Sequence, residues 1–390
     1  MTEPTPSPND SPATESVDQP PRLLVRLFGS LALLGVSGLL ALGVAEVAVR
    51  LAAPQQLILI RPDVWEPVDT LGWVRRPNIE TQMNTGERTV TVRTDSARFR
   101  VGATGRREAA TQVLLLGDSF MEALQVEYEQ STAGLLEAGL EAASGRPVAV
   151  RNAGVSGWSP NQYRLLARRE LAETSYALIV VAVFVGNDVI GEATERIPPR
   201  VPVERKHFRF PRSLAARELI DALAAPVNDV LEVRSHLFIL AKNSLATMRM
   251  RLGLTADYFP RWYQKAEADS PAWGVTVAVL RALADEAQAK GTPTVFVLVP
   301  ERLQVHSDEF LRYLKGFDID PASVDLDQPS RVLREGLEAA GLRVVDALGP
   351  FRAAAAETRL HGVVDQHLSP EGHRVLTDVI LPVAAPLLAR

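Results

Sequence analysis

The sequence predicts an α/β protein in which a five-stranded parallel sheet lies between two layers of helices, preceded by one transmembrane helix. Three observations carry this expectation. Five apolar runs, at 113–116, 148–152, 178–185, 294–299 and 342–346, alternate with helical segments, and strands alternating with helices pair in parallel with the helices on both faces. The run at 178–185 is rich in β-branched residues, as strands buried on both faces are. Near the N-terminus, residues 27–45 form an uncharged stretch of 19 residues, about 28 Å as a helix, which suits one membrane pass.

Residues 1–21 are rich in proline, serine, threonine and acids, lack any apolar period and cannot bury a core, so a disordered tail is expected. The span 22–50 is expected as the anchor. Its apolar stretch exceeds the core of a cleaved leader, about 7 to 15 residues. Arg22 and Arg26 before it and Arg50 after it favour a cytoplasmic N-terminus. In 51–110, residues 88–93 alternate at strand period and Ser96-Ala97 separates them from 98–101, which predicts a β-hairpin in a connector packed against the main domain.

The main domain is expected over 111–390, with an insertion at 191–274. Within the insertion, 200–212 is basic (Arg205, Lys206, Arg209, Arg212), and 214–254 reads as helices broken at Pro226. The basic stretch is either a solvated loop or a contact for anionic lipid headgroups or an anionic glycan. The core resumes with a helix over 273–290, the strand 294–299, a helix over 329–340, the strand 342–346 and a terminal helix. Ser159-Pro160-Asn161-Gln162 reads as a capping box, and Ser369-Pro370 as the cap and first position of the last helix. Together these elements give a flavodoxin-like three-layer arrangement.

Polar blocks sit where the strands end. Gly117-Asp118-Ser119 follows the first run, and a serine on that turn projects into the crevice where open α/β sheets bind ligands. Gly117 permits the tight backbone such a turn needs. Asn152-Ala153-Gly154 follows the second run, Gly186-Asn187-Asp188 the third, and Asp365-Gln366-His367 precedes the terminal helix. A serine hydroxyl is a poor nucleophile until a base takes its proton. His367 supplies a nitrogen that titrates near neutrality. Asp365 on the other imidazole nitrogen would fix the tautomer and stabilise the imidazolium.

These blocks resemble those of the SGNH (GDSL-like) hydrolase superfamily: Gly117-Asp118-Ser119 its nucleophile block, Gly154 its glycine block, Gly186-Asn187-Asp188 its asparagine block, and Asp365 with His367 its last block. The likeness spans about 111–190 and 275–390. It implies an oxyanion hole made by the Ser119 and Gly154 backbone N–H groups and the Asn187 side-chain amide. Many members carry Asp-x-x-His; the Asp-x-His spacing here is associated with branches that add or remove acetyl groups on polysaccharides. The resemblance thus implies a membrane-anchored serine esterase acting on O-acyl, foremost acetyl, groups of an extracytoplasmic glycan. An O-acyltransferase that passes the acyl group to a sugar hydroxyl, and a catalytically idle glycan-binding or scaffold protein, are the alternatives.

Other readings of the same residues are weaker. An α/β-hydrolase elbow needs Gly-x-Ser-x-Gly, and Met121 stands where its second glycine belongs. A metal site using His361, His367 and His373 is disfavoured, since their six-residue spacing puts no two on one helical face and the chain has no cysteine. No cofactor is called for. A net charge of -5 argues against nucleic-acid binding, and the lack of cysteine removes disulfides and thiol chemistry.

Overall fold

A computed structural model describes residues 22–55, 57, 63–105, 109–199, 230–231, 234–251, 261–317, 319–363 and 365–388. The chain divides into two units, Met1–Ala53 and Pro54–Arg390. In the first, α1 (Arg22–Ala52) runs for 31 residues, about 46 Å. Its part Arg26–Ala52 contains an 18-residue window with a mean hydropathy of 2.1, and is long and apolar enough to cross a membrane. The helix continues past the uncharged run to Glu46 and Arg50, which pair one turn apart at 2.6 Å. The expected tail at 1–21 and the basic stretch at 200–212 lie outside the described residues.

The second unit begins with antiparallel strands. β1 (Trp65–Val68) and β2 (Gly72–Arg75) form a hairpin; β3 (Glu80–Asn84), β4 (Thr89–Thr94) and β5 (Arg100–Val101) follow. The apolar runs become β6 (Thr111–Leu116), β7 (Val148–Asn152), β8 (Leu178–Phe184), β9 (Thr294–Val299) and β10 (Val344–Asp346). One sheet has the order β10-β9-β8-β6-β7-β5-β4-β3. Its first five strands are parallel, and the last three extend it antiparallel beyond β7.

β3, β4 and β5 of the expected connector therefore join the sheet, which has eight strands, five of them parallel, while β1 and β2 form a separate two-stranded sheet. The reason is visible in the side chains. Val90, Val92, Phe99, Trp65 and Trp73 are buried in the same cluster as Leu114 and Leu116 of β6, at about 1.5 to 3 kcal/mol per fully buried large apolar side chain.

Along β6, β8 and β9 successive residues enter opposite faces, as the pleat requires. Leu114, Leu116, Ile179, Val181, Val183, Phe296 and Leu298 face one core; Val113, Leu115, Val180, Ala182, Val295 and Val297 face the other. The helices, in chain order, are α2 (Ser119–Glu122), α3 (Thr132–Ser144), α4 (Pro160–Glu173), α5 (His236–Arg251), α6 (Pro271–Gln288), α7 (Arg302–Val305), α8 (Ser307–Phe317), α9 (Gln328–Ala339), α10 (Leu348–Ala355) and α11 (Pro370–Leu388). Of these, α4, α6 and α9 cover the first face and α3, α10 and α11 the second. The capping box of Ser159 and Gln162 opens α4. The Ser369 hydroxyl accepts the Gly372 N–H at 3.1 Å at the start of α11. The sequence reading assigned no element to α7 and α8, although Pro300 ends β9 and Glu301 with Gln304 form a capping box at the start of α7.

Candidate active site

β6 ends at Leu116, and Gly117-Asp118 turn the chain at once into α2, whose first residue is Ser119. Asp118 caps that helix: its carboxylate accepts the Phe120 N–H at 2.9 Å. Gly117 is demanded by close approach, since a Cβ there would lie 2.5 Å from Met121 Cγ and 3.3 Å from the Ala182 carbonyl oxygen. The half-buried Ser119 thus stands at the C-terminal edge of the parallel strands. Its Oγ lies 2.8 Å from His367 Nε2, and His367 Nδ1 lies 2.5 Å from Asp365 Oδ1. Hydroxyl, imidazole and carboxylate thus form one continuous hydrogen-bonded chain.

Asp365 is held from several sides. It accepts the His367 backbone N–H at 2.9 Å and the Gln125 side-chain amide at 3.1 Å, while its own N–H donates to Glu87 Oε1 at 3.1 Å. Burial alone would raise its pKa, but the imidazole and these hydrogen bonds outweigh burial and hold the carboxyl below its ordinary value. For His367 burial pulls downward, and the carboxylates of Asp365, Asp118 and Glu122 outweigh it, so the imidazole sits above its ordinary value. His367 is therefore a stronger base than free histidine, 2.8 Å from the hydroxyl it would deprotonate.

The glycine block packs on α2. A Cβ on Gly154 would lie 2.5 Å from both the Glu122 nitrogen and the Met121 carbonyl carbon, so only glycine allows this approach. Asn152 ties the two together, donating from its amide to the Met121 carbonyl at 2.8 Å and accepting the Gly154 N–H at 3.0 Å. The Gly154 N–H expected to serve an oxyanion is thus engaged with Asn152. The Ser119 N–H makes no hydrogen bond among the described residues.

In the asparagine block, Asp188 is fully buried, accepting the Tyr163 hydroxyl at 2.9 and 3.0 Å and the Phe184 N–H at 2.8 Å. Burial pushes its carboxyl well above the usual range. It pins the turn whose exposed tip is Asn187. Asn187 reaches the Asp118 carboxylate, which burial pushes up to about 6 against the Phe120 N–H, His367 and Asn187. Gly186 fits because a Cβ would lie 2.7 Å from the Phe184 ring. That ring stacks on Phe120 at 4.0 Å, and Phe120 lies 4.9 Å from the His367 ring.

Of the histidines weighed as metal ligands, only His367 meets Ser119. His361 is buried beside His306, with ring centroids 5.6 Å apart, and His373 Nδ1 lies 2.9 Å from Thr132 Oγ1. Among the described residues no cluster of three histidine, cysteine or acidic side chains could hold a metal ion. A cavity of about 540 Å³ between β5, β7 and α3, bordered by Tyr128, Glu137 and Arg151, includes no residue of the triad.

Several supporting residues escaped the sequence reading. Glu122 is buried and accepts the Trp65 indole N–H at 3.1 Å, the Ser156 N–H at 2.7 Å and the Ser156 hydroxyl at 2.5 Å. Arg75 and Arg100, both buried, donate to carbonyls of the glycine block and of the nucleophile turn. The available signal was an arginine beside apolar neighbours, Trp73-Val74 in one case and Phe99 and Val101 in the other.

No family model and no curated protein matches the chain. Solved structures to which it is similar include TesA, at 14% identity and a TM-score of 0.37, covering 71% of this chain and 99% of that one. Another is Axe2, an acetylxylan esterase from Geobacillus stearothermophilus, at 14% and 0.37, covering 70% and 94%. A member of the lipolytic protein G-D-S-L family from Veillonella parvula gives 12% and 0.37, covering 70% and 98%.

Proposed function

We propose that the protein is a membrane-anchored serine esterase of the SGNH type, which hydrolyses O-acyl esters, acetyl foremost, of an extracytoplasmic glycan. The observation that carries this reading is the 2.8 Å approach of Ser119 Oγ to His367 Nε2, with Asp365 on Nδ1. Ser119 Oγ attacks the ester carbonyl carbon while its proton passes to His367 Nε2, and the imidazolium is stabilised by Asp365. The tetrahedral oxyanion takes the Ser119 N–H and the Asn187 amide as donors, with Gly154 as a third once its N–H leaves Asn152. Each such donor contributes about 3 kcal/mol of barrier lowering. The C–O bond to the leaving alcohol breaks as His367 returns the proton to that oxygen. Water, deprotonated by His367, then attacks the acyl-Ser119 and releases the free acid.

A second reading hands the acyl group to a sugar hydroxyl. The long insertion favours it, because this segment leaves the C-terminal end of β8 beside Asn187, and a segment roofing that edge could hold an acceptor near the acyl-enzyme. Hydrolysis remains preferred, since triad and donors need nothing further to use water. One experiment tests both: the protein is incubated with a short-chain chromogenic ester, with and without an oligosaccharide, and the products are weighed. Release of free acid at the same rate in both is expected. Faster transfer to the oligosaccharide would establish the acyltransferase, and no turnover in either would leave an idle binding protein.

A further inference from the structure

We infer that Arg75 and Arg100 are positioning residues for the reaction, holding the backbone that carries Ser119 and Gly154 in its working geometry. The inference rests on the serine-hydrolase reading above. Both side chains are buried, and among the described residues neither is hydrogen-bonded to a carboxylate. Every donor contact goes instead to a main-chain carbonyl.

Arg75, at the end of β2, donates from Nη2 to the Asn152 carbonyl at 2.6 Å, from Nη1 to the Gly154 carbonyl at 2.7 Å, and from Nε to the Arg98 carbonyl at 2.9 Å. It thereby grips the peptide before Ala153 and the peptide after Gly154, and so holds from both sides the peptide that presents the Gly154 N–H. Arg100, on β5, donates from Nη1 to the carbonyls of Glu122 and Ala123 and from Nη2 to the Val126 carbonyl at 2.6 Å. Those first two carbonyls end α2. A four-residue helix cannot sustain itself by its own hydrogen bonds, and its terminal carbonyls are orphaned unless another group supplies donors.

An apolar side chain of the same volume would fill either space, but it would leave two or three buried carbonyls unpaired. A guanidinium satisfies them with a rigid, planar fork, which lysine cannot reproduce. Burial lowers both arginine pKa values, that of Arg100 to about 10, which still leaves the Arg100 cation charged at neutral pH.

The test uses the full chain in detergent, with Arg75→Met and Arg75→Lys compared with wild type by thermal melting, by steady-state turnover of a short-chain chromogenic ester, and by the rate of fluorophosphonate labelling. The expected result is a folded Arg75→Met protein whose KM stays within about twofold while kcat and labelling rate fall about a hundredfold, the scale of a misplacement of about 1 Å. Arg75→Lys should recover melting temperature more than kcat. Labelled wild type with unchanged kcat in a folded variant overturns this inference alone, as does a loss confined to KM. Failure of both variants to fold overturns it too, because the residue would then serve the fold only. Wild type that resists labelling at Ser119 removes the hydrolase reading and this inference with it.

Discussion

At the scale of single residues, the basicity of His367 governs when Ser119 can act. Its pKa is raised above 6.5, with burial opposing the shift and the Asp365 carboxylate overcoming it. Only the neutral imidazole can accept the serine proton, so kcat/KM should be constant at high pH and fall as pH drops through a value above 6.5. Initial rates from pH 4 to 9 check this, and a profile flat down to pH 4 would exclude the mechanism. The same shift favours the folded state below the unfolded pKa of about 6.5, and that contribution is lost as pH rises through the folded value. Replacing Asp365 by alanine should move the acid limb to lower pH. His367→Ala should lose nearly as much activity as Ser119→Ala, with Asp365→Ala retaining more, because triad members act as a unit and loss of the aspartate is the mildest.

Between elements, the contact of the glycine block with α2 decides how precisely Ser119 is held. Gly154→Ala sets a Cβ 2.5 Å from the Glu122 nitrogen and the Met121 carbonyl carbon, which are backbone atoms, whereas in Gly117→Ala the nearest atoms belong to the Met121 side chain. A rotamer change can move Met121 Cγ away from a Gly117 Cβ, leaving the Met121 Cβ at 2.9 Å, whereas the two backbone atoms at 2.5 Å from a Gly154 Cβ cannot move aside. Gly154→Ala should therefore cost more, about 1 to 3 kcal/mol of overpacking strain, and should depress kcat further than Gly117→Ala. Thermal melts and ester turnover on the two variants give the comparison. The legibility of these elements in the sequence follows the same division. β6 and β8 were readable because they are buried on both faces, and the polar blocks of Ser119 and Asn187 follow directly on their ends. β3 and the β1–β2 hairpin were not readable, because strands of four or five residues with mixed polarity, such as Glu80–Asn84, give no period. The roles of Arg75 and Arg100 were equally hidden, since each is defined by carbonyls more than 20 residues away in sequence. Only the folded chain brings those partners together.

For the molecule as a whole, the division at residues 53 and 54 separates an apolar helix from the unit that holds every residue of the site. Deleting residues 1–53 should give a soluble protein that still hydrolyses a short-chain ester. A deletion reaching residue 110 should not, because it removes β3, β4 and β5 from the sheet edge and both arginines from the carbonyls of Asn152, Gly154, Glu122 and Ala123. Where the intact chain works is a question of charge. Lysine and arginine near a membrane-spanning helix stay in the cytoplasm, and Arg22 and Arg26 precede the apolar stretch. Arg50, at the other end, weakens that bias without cancelling it. The N-terminus should therefore remain inside and the unit from residue 54 should be exported. A reporter that works only outside the cytoplasm, fused after Arg390, should be active, and its cytoplasm-only counterpart silent. The opposite pattern would reverse the topology and exclude an extracytoplasmic glycan as substrate, while leaving the triad chemistry of Ser119 untouched.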